Sequence, residues 1–277
     1  MSAMRGSDGT CRYLEFLAAR DGEPDFARHV LPRREAFFEA LARVPVRSRV
    51  PVDRDAYLRN LARHRPARGL DERTLWLLAT AKTNQSERFG VGLAELYGRV
   101  TAASDPIALH VQLQETYHTR ILADVVAMFG LPVHAFPPPL LARTLIYWLI
   151  SVPRRWQLPV VGCAEMAGCV LFRALRDRGV ALFAGEPDVA ERIWMLYDEI
   201  LGDEVSHVGF VAAQLGRRGR ALMRGLYRVL GARLAAGMPE VVRLFGRPEL
   251  RRRFRAPFRL DAMVAEFPRL AFAAATI

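Results

Sequence analysis

Two segments of this chain pair a glutamate with a histidine three residues later. In QLQETYHTRIL the pair is Glu115 and His118, and in ILGDEVSHVGF it is Glu204 and His207. Residues i and i+3 project from the same side of an α-helix, so each pair directs a carboxylate and an imidazole at one point. Carboxylate and imidazole groups bind divalent cations. Each segment, if helical, is therefore predicted to supply two metal ligands.

Two more glutamates, without a histidine three residues later, fall on the apolar faces of predicted helices. Glu87 lies in TNQSERFGVGL, and Glu165 is the only charged residue between Arg155 and Arg173. Four buried carboxylates would repel each other as free ions, and each would raise the pKa of the others. Two divalent cations would neutralise them, and two imidazoles would complete the coordination. The predicted ligand set is Glu87, Glu115, His118, Glu165, Glu204 and His207.

The apolar spacing along the chain predicts four long helices that would position these ligands. Start and stop signals such as Asp71, Ser104-Asp105-Pro106, Gly130 and Gly179 set their limits. The four long helices are predicted at 71–100, 106–129, 160–178 and 187–215. Pro153 and Pro159 are expected to interrupt the chain before the third of them.

Shorter helices are predicted at 12–19, 25–42, 53–63 and 140–152, with a rigid FPPPL connector at 136–140. VPVRSRVPV (44–52) contains two prolines, which favours an extended strap over a strand in a sheet. The fold class is predicted to be all-α, with 1–277 forming a single domain. Residues 71–215 form its metal-binding four-helix core, and 1–70 and 216–277 add peripheral helices.

The positions of the turns indicate whether the four glutamates can lie close together. Short connections pair the first long helix with the second, and the third with the fourth, as antiparallel hairpins. The midpoint of Glu87 and Glu115 is Thr101, close to the first turn, and the midpoint of Glu165 and Glu204 lies beside Gly185. Residues equally distant from an antiparallel turn lie at the same height, here within about one helical turn of 5 Å. All six ligands are therefore expected in one layer.

This pattern resembles the ferritin-like diiron carboxylate proteins. That group includes ferritins, ribonucleotide reductase small subunits, acyl-carrier desaturases, bacterial multicomponent hydroxylases and arylamine N-oxygenases. The resemblance covers about 71–215 and implies a ferritin-like four-helix bundle. It also implies two iron ions, with a Mn–Fe pair as an alternative to Fe–Fe. Glu115 and Glu204 would bridge the metals and the other four ligands would be terminal.

The resemblance also implies residues behind the ligands. Asp203 stands just before Glu204, where the family has an acid that orients the opposite histidine, here His118. Gln114 occupies the matching place in the first motif and could accept a hydrogen bond from His207.

The sequence departs from the family at three positions. Tyr117 and Ser206 replace the arginine that commonly precedes the histidine, and Ile200 replaces the third histidine of arylamine N-oxygenases.

Four other residues lie on the interior faces of the predicted helices. Tyr197, seven residues before Glu204, is either a redox or hydrogen-bonding tyrosine behind the site or a packed core residue. Small side chains beside Glu165 leave room for substrate or oxygen, or serve close helix packing: Gly162, Gly168 and Cys169. His110 is expected to point away from the site.

Composition limits the other possibilities. The formal charge is +11, almost all of it from arginine, because Lys82 is the only lysine. The basic clusters 217–220 and 251–255 contain few aromatic residues, so a solvated surface is favoured over a nucleic-acid, membrane or acidic-partner surface. No nucleic-acid partner is predicted.

Three cysteines without a CxxC pair, and no N-terminal signal pattern, indicate a reducing cytoplasm. The longest apolar stretch, near 140–152, is too short to span a bilayer.

The resemblance implies an O₂-activating non-haem diiron oxygenase that hydroxylates or N-oxygenates a small organic substrate with an external electron donor. The extra helices could form pocket walls or a homodimer interface. The alternatives are a ferritin-type iron-oxidising or storage protein, a desaturase-like oxidase, and a helical interaction protein without a metal.

Overall fold

The structure, a computed structural model, describes residues 8–101, 105–134, 144, 148 and 151–272. Within these residues the secondary structure is helical, apart from an isolated bridge between Asp25 and Val30. The prediction of an all-α fold is confirmed. The helices expected at 140–152 and the FPPPL connector fall almost wholly outside the described residues.

Eleven helices are described. The N-terminal ones are α1 (Asp8–Asp21), α2 (Pro32–Arg43) and α3 (Arg54–Leu61). The four long ones are α4 (Glu72–Thr101), α5 (Pro106–Ala127), α6 (Arg154–Leu182) and α7 (Pro187–Gln214). The C-terminal ones are α8 (Arg217–Ala236), α9 (Pro239–Phe245), α10 (Arg247–Arg255) and α11 (Leu260–Glu266).

Aspartate caps fix three helix starts, and two of them, Asp71 and Asp105, were predicted as caps. The Asp71 carboxylate accepts a hydrogen bond from the Thr74 backbone N–H at 2.9 Å. Asp105 accepts from Ile107 N at 3.0 Å, and Asp53 accepts from Ala56 N at 2.8 Å. Each bond satisfies an N–H that the first helical turn leaves unpaired. The segment 45–49 is neither helix nor strand, as the two prolines predict.

Three predicted helix starts are wrong, and the first is that of α1, which begins at Asp8 and not at 12. Helix α6 begins at Arg154 and not near 160, with Pro159 inside it. Pro159 is beyond the first turn, so it removes the hydrogen bond to the carbonyl four residues earlier, and packing of α7 and α8 along α6 offsets this loss. Helix α2 begins at Pro32 and not at 25. The backbone of Asp25 instead pairs with that of Val30 through two hydrogen bonds, and His29 adopts a positive φ of 55°.

The four long helices pack around one core. Helix α4 lies against α5 and α6 against α7, while α5 also contacts α7 and α4 contacts α6. The α6–α7 pair is antiparallel: Gly179 faces Ile193, Gly168 faces Glu204, and Gly162 faces Val211. Trp76 of α4 is fully buried and donates its indole N–H to the Leu175 carbonyl of α6 at 2.8 Å, which links the two pairs.

The outer helices cover this core on several sides. Helices α1 and α11 pack on α7, α3 and α9 pack on α4, and α8 packs on α6. The basic residues Arg217, Arg218 and Arg251 are exposed.

Among the described residues, one helical stretch (Arg155–Leu182 of α6) is long and apolar enough to cross a membrane by length and composition. The core helix of a globular protein meets the same criteria, and 56% of its most apolar window is buried. The expectation that no segment spans a membrane stays a prediction.

Candidate metal centre

Each of the four long helices brings a carboxylate to one place. Their ligand atoms form two overlapping groups, and within each group all atoms lie within 4.8 Å of one another. The first group contains Glu87, Glu115, His118 and Glu204, and the second contains Glu115, Glu165, Glu204 and His207. Both groups include Glu115 and Glu204. Ligand atoms around one cation lie about 3–4 Å apart when metal–ligand bonds are about 2.1 Å. Each group could therefore hold a metal ion.

Both imidazoles direct an unpartnered nitrogen into this cluster. The Nδ1 atoms of His118 and His207 are buried and have no hydrogen-bond partner among the described residues. His118 Nδ1 lies 3.4 Å from a Glu115 oxygen, and 3.5 Å from oxygens of Glu87 and Glu204. His207 Nδ1 lies 3.5 Å from oxygens of Glu115 and Glu165. A buried polar atom left unpaired is costly, and a bound cation would accept these two lone pairs.

The outer nitrogen of each imidazole fixes its tautomer. His118 Nε2 lies 3.0 Å from Asp203 Oδ2, and His207 Nε2 lies 3.0 Å from Gln114 Oε1. The Gln114 amide nitrogen already donates to Asp21 at 2.7 Å and to Asp203 at 3.0 Å, so its oxygen must face His207. Both imidazoles therefore donate from Nε2, and Nδ1 is the nitrogen that would offer its lone pair to a metal in place of a proton.

The six side chains of the cluster differ in their exposure. The side chains of His118, His207 and Glu204 are at most 5% exposed. Those of Glu87, Glu115 and Glu165 are 16–20% exposed. Water can therefore reach the side chains of these three glutamates.

Without a cation, two of the four glutamates, Glu87 and Glu204, resist ionisation. Burial raises the pKa of Glu87 to about 7, and burial together with Glu165 and Glu115 raises the pKa of Glu204 well above its usual range. Burial would also raise the pKa of Glu115, but the neighbouring His118 lowers it to about 2. The cluster therefore retains protons that a bound cation would displace.

The two imidazoles also have raised pKa values. Burial disfavours imidazolium, yet Glu115 and Asp203 beside it raise the pKa of His118 well above its usual value. Glu165 does the same for His207, whose pKa is also raised despite burial. Without a metal, these raised pKa values favour imidazolium beside the carboxylates, and a bound cation would take over that compensation.

A buried ionic network lies behind the imidazoles, and sequence reasoning missed most of it. Asp203 is fully buried, and its oxygens lie 2.7 Å from Arg20 Nη1 of α1 and 2.7–2.8 Å from Arg34 Nη2 of α2. Asp21 accepts a 2.8 Å hydrogen bond from Arg34 Nε. Burial would raise the pKa of Asp203, but Arg20 and Arg34 hold it well below the usual range.

The N-terminal segment is therefore more than a peripheral addition. Arg20, Asp21 and Arg34 lie far from the ligands in sequence, and no motif marks them. Two guanidinium groups, those of Arg20 and Arg34, contact the Asp203 carboxylate that lies beside His118. His110 belongs to neither ligand group, and its Nε2 lies 2.9 Å from Asp21 Oδ2, in the network behind the imidazoles.

Tyr197 lies in the core and not among the ligands. It is fully buried, and its hydroxyl lies 2.9 Å from Thr80 Oγ1. Its ring packs near those of Trp76 and Phe172. These contacts are those of a packed core tyrosine with a satisfied hydroxyl.

The three small residues of α6 have different surroundings. A Cβ added at Gly162 would lie 2.3 Å from Met223 Sδ of α8 and 2.9 Å from Val211 Cγ1, so Gly162 serves close helix packing. A Cβ added at Gly168 would lie 2.6 Å from Glu204 Oε2, so Gly168 gives room to a ligand. Cys169 is fully buried at the edge of a cavity of about 420 Å³ between α6, α8, α10 and α11.

We expect Gly168→Ala to disturb the centre while leaving the fold stable. The new methyl group would displace the Glu204 carboxylate, and alanine favours a helix over glycine by about 1 kcal/mol. Metal affinity should fall by at least ~10-fold, the lower end of what losing a supporting contact costs. Metal titration and thermal unfolding of the metal-free protein measure the two effects.

Gly162→Ala is the matched control. Its methyl group clashes with Met223 and Val211, so stability should fall by about 1–3 kcal/mol while metal affinity is kept. Equal metal affinities in the two variants would contradict the role given to Gly168.

No family model, no curated protein and no solved structure matches this chain. Any function assigned to the protein therefore depends on the residues of the site and their geometry.

Proposed function

We propose that this protein is a ferritin-like diiron oxygenase that oxidises a small organic substrate with dioxygen. The observation that carries this proposal is the pair of overlapping ligand groups that share Glu115 and Glu204. Two cations that share two carboxylates lie close together, as they must to act jointly on one oxygen molecule.

The fold supports the same proposal. Two long helices each supply one glutamate, and the other two each supply a Glu-x-x-His pair that points inward. This distribution is the one found in di-iron and di-manganese carboxylate bundles. Helices α4 to α7 contact one another in a closed ring, which is the packing such a bundle needs.

The ligand chemistry supports iron. The two groups contain carboxylate oxygens and imidazole nitrogens and no thiolate. Oxygen-rich sites with some imidazole suit iron or manganese, whereas structural zinc sites are often rich in sulfur. Four carboxylates also balance the charge of two divalent ions. We propose an Fe–Fe centre, with Mn–Fe as the alternative.

The chain's own residues would prepare the site for oxidation. When bound, two ferrous ions would supply two electrons to dioxygen, and an external donor would restore them. Asp203 and Gln114 hold the imidazoles in the metal-binding tautomer. Glu87, Glu115 and Glu165 form the partly exposed edge that oxygen and substrate can reach. Hydroxylation and N-oxygenation are the reactions we favour.

The main alternative is a ferritin-type protein that oxidises or stores iron, and a desaturase-like oxidase is a second. Iron ions could also enter at the partly exposed carboxylate edge. Storage cages, however, collect cations on acidic surfaces, whereas this chain has a formal charge of +11. We therefore place the storage function second.

Metal content and oxygen consumption distinguish these functions. Protein loaded anaerobically with Fe²⁺ should retain about two irons per chain and consume oxygen faster when a reductant and a suitable amine or aromatic substrate are present. Loading with hundreds of irons per assembly would support storage. Failure to retain iron or manganese would rule out both proposals and leave a helical interaction protein.

A further inference from the structure

Arg34 connects the N-terminal helices to the proposed centre. It belongs to α2, outside the four long helices, and is only 3% exposed. Its Nη2 donates to both oxygens of Asp203, at 2.7 and 2.8 Å. Its Nε donates to Asp21 at 2.8 Å, and its Nη1 donates to Glu199. One guanidinium thus binds three carboxylates from α1 and α7.

Arg34 reaches one ligand histidine more directly than the other. Asp203 Oδ2, which Arg34 contacts, is the atom that accepts the His118 N–H at 3.0 Å. His207 instead donates to the Gln114 amide oxygen, which Arg34 does not contact. One residue, Asp203, therefore lies between the Arg34 guanidinium and His118. At least two residues lie between the guanidinium and His207.

The charges around Asp203 depend on Arg34. Asp21, Asp203 and Glu199 carry three negative charges, and Arg20 and Arg34 carry two positive ones. Removing Arg34 would leave three carboxylates against one guanidinium, two of them fully buried. Buried charges that lose a partner rearrange or draw in water, because they cannot stay uncompensated. The carboxylate that orients His118 would then lose its fixed position.

We infer that Arg34 is a positioning residue of the proposed centre, acting on His118 through Asp203. This inference rests on the proposed function. It predicts that the two metal positions depend unequally on the N-terminal helices. Position 1, defined by Glu87 and His118, needs Arg34, whereas position 2, defined by Glu165 and His207, needs it much less.

Cobalt titration of the metal-free, full-length protein tests this inference. Co²⁺ binds carboxylate and imidazole ligands, and its visible absorption reports their geometry. Wild-type protein should bind two ions. Arg34→Met should weaken one of them by about 10–100-fold, the usual effect of losing an outer hydrogen bond to a ligand. Its Co²⁺ absorption band should change together with the affinity.

Two ligand variants assign the weakened position. In a His207→Ala background only position 1 keeps its imidazole, and adding Arg34→Met should reduce Co²⁺ affinity about 10–100-fold. In a His118→Ala background position 2 remains, and the same change should have an effect of less than about 3-fold. Such a double-variant cycle isolates the coupling between Arg34 and His118.

Arg176→Met is the matched control for the loss of a buried arginine. Arg176 is 2% exposed and pairs with Asp177, Asp198 and Glu266, away from both ligand groups. Its replacement should lower the unfolding temperature of the metal-free protein and leave both Co²⁺ affinities unchanged.

The outcomes separate the two proposals. If wild-type protein binds no Co²⁺, the proposed function fails. If it binds two ions and Arg34→Met weakens both equally or neither, the role of Arg34 is overturned. Should Arg34→Met not fold, Arg34→Lys decides by the same criterion, because lysine keeps the charge but cannot hold all three carboxylates. We expect Arg34→Lys to lower the Co²⁺ affinity of position 1 by less than the loss predicted for Arg34→Met. The affinity of position 2 should not change.

Discussion

Glu204→Ala should remove both metal ions from this protein, whereas Glu87→Ala should remove only one. Glu204 belongs to both ligand groups, and Glu87 belongs to the first alone. Losing a shared carboxylate takes one ligand and one compensating charge from each position. Losing a terminal carboxylate leaves the second position with all four of its ligands. Glu115→Ala should behave like Glu204→Ala, and Glu165→Ala should behave like Glu87→Ala, for the same reason.

Metal analysis after anaerobic loading measures this difference, and circular dichroism confirms that the helices persist. Glu240→Ala is the control, since Glu240 is a glutamate only 1% exposed that belongs to neither ligand group. It should keep both ions. If Glu204→Ala retained as much metal as Glu87→Ala, the two positions would not share that carboxylate, and the dimetal arrangement would be wrong.

The stability of the metal-free protein should fall as pH rises from about 5 to 8. Burial raises the pKa of Glu87 to about 7, and burial with the neighbouring carboxylates raises the pKa of Glu204 well above its usual value. Neighbouring carboxylates also raise the pKa of His118 and His207. The native state therefore binds more protons than the unfolded state in this range. The free energy of unfolding then decreases with pH, by up to ~1.4 kcal/mol per pH unit for each such group.

Groups whose pKa is lowered in the folded protein affect its stability in a lower pH range. Burial would raise the pKa of Glu115, Asp21 and Asp203, but charged neighbours lower all three below their usual values. Their contribution to stability is present above pH ~4.5 and is lost only as pH falls below it. They do not offset the trend between pH 5 and 8.

The difference in stability between metal-loaded and metal-free protein should increase as pH rises. A cation binds the deprotonated ligands and competes with protons, so the stabilisation by metal grows between pH 5 and 8. Thermal unfolding of chelator-treated and metal-loaded protein across this range measures both effects. Glu87→Gln should reduce the slope of the metal-free protein. A metal-free protein whose unfolding temperature rises from pH 5 to 8 would show that these acids are not buried together.

Local sequence determined the helices and the side on which each ligand projects. The Glu-x-x-His spacing directs two side chains from one helix face, and this holds wherever the helix lies. Aspartate caps fixed the starts of α3, α4 and α5 because a cap bond joins residues only two or three apart. Short turns placed the acids of each hairpin at equal heights. The relation of His118 to Asp203 and of His207 to Gln114 followed from the family resemblance, and the structure shows both contacts.

Prediction of helix boundaries from the local sequence failed where helical spacing and a proline occur in the same segment. Pro159 is a helix breaker in isolation, yet α6 continues through it because α7 and α8 pack along that helix. Residues 25–31 have helical spacing, but pairing of Asp25 with Val30 and the proline at position 32 delay the start of α2. Contacts made only in the folded protein decided these boundaries.

The buried ionic network was decided by tertiary structure alone. Arg34 and Asp203 are 169 residues apart, and their contact depends on how α2 packs beside α7. Nothing in the residues near Arg34 distinguishes it from the many surface arginines of this basic chain. The sequence by itself therefore determined which side chains could bind metal, because that depends on helical periodicity. Only the tertiary structure decided which charges hold those side chains in place, because that depends on contacts between distant segments.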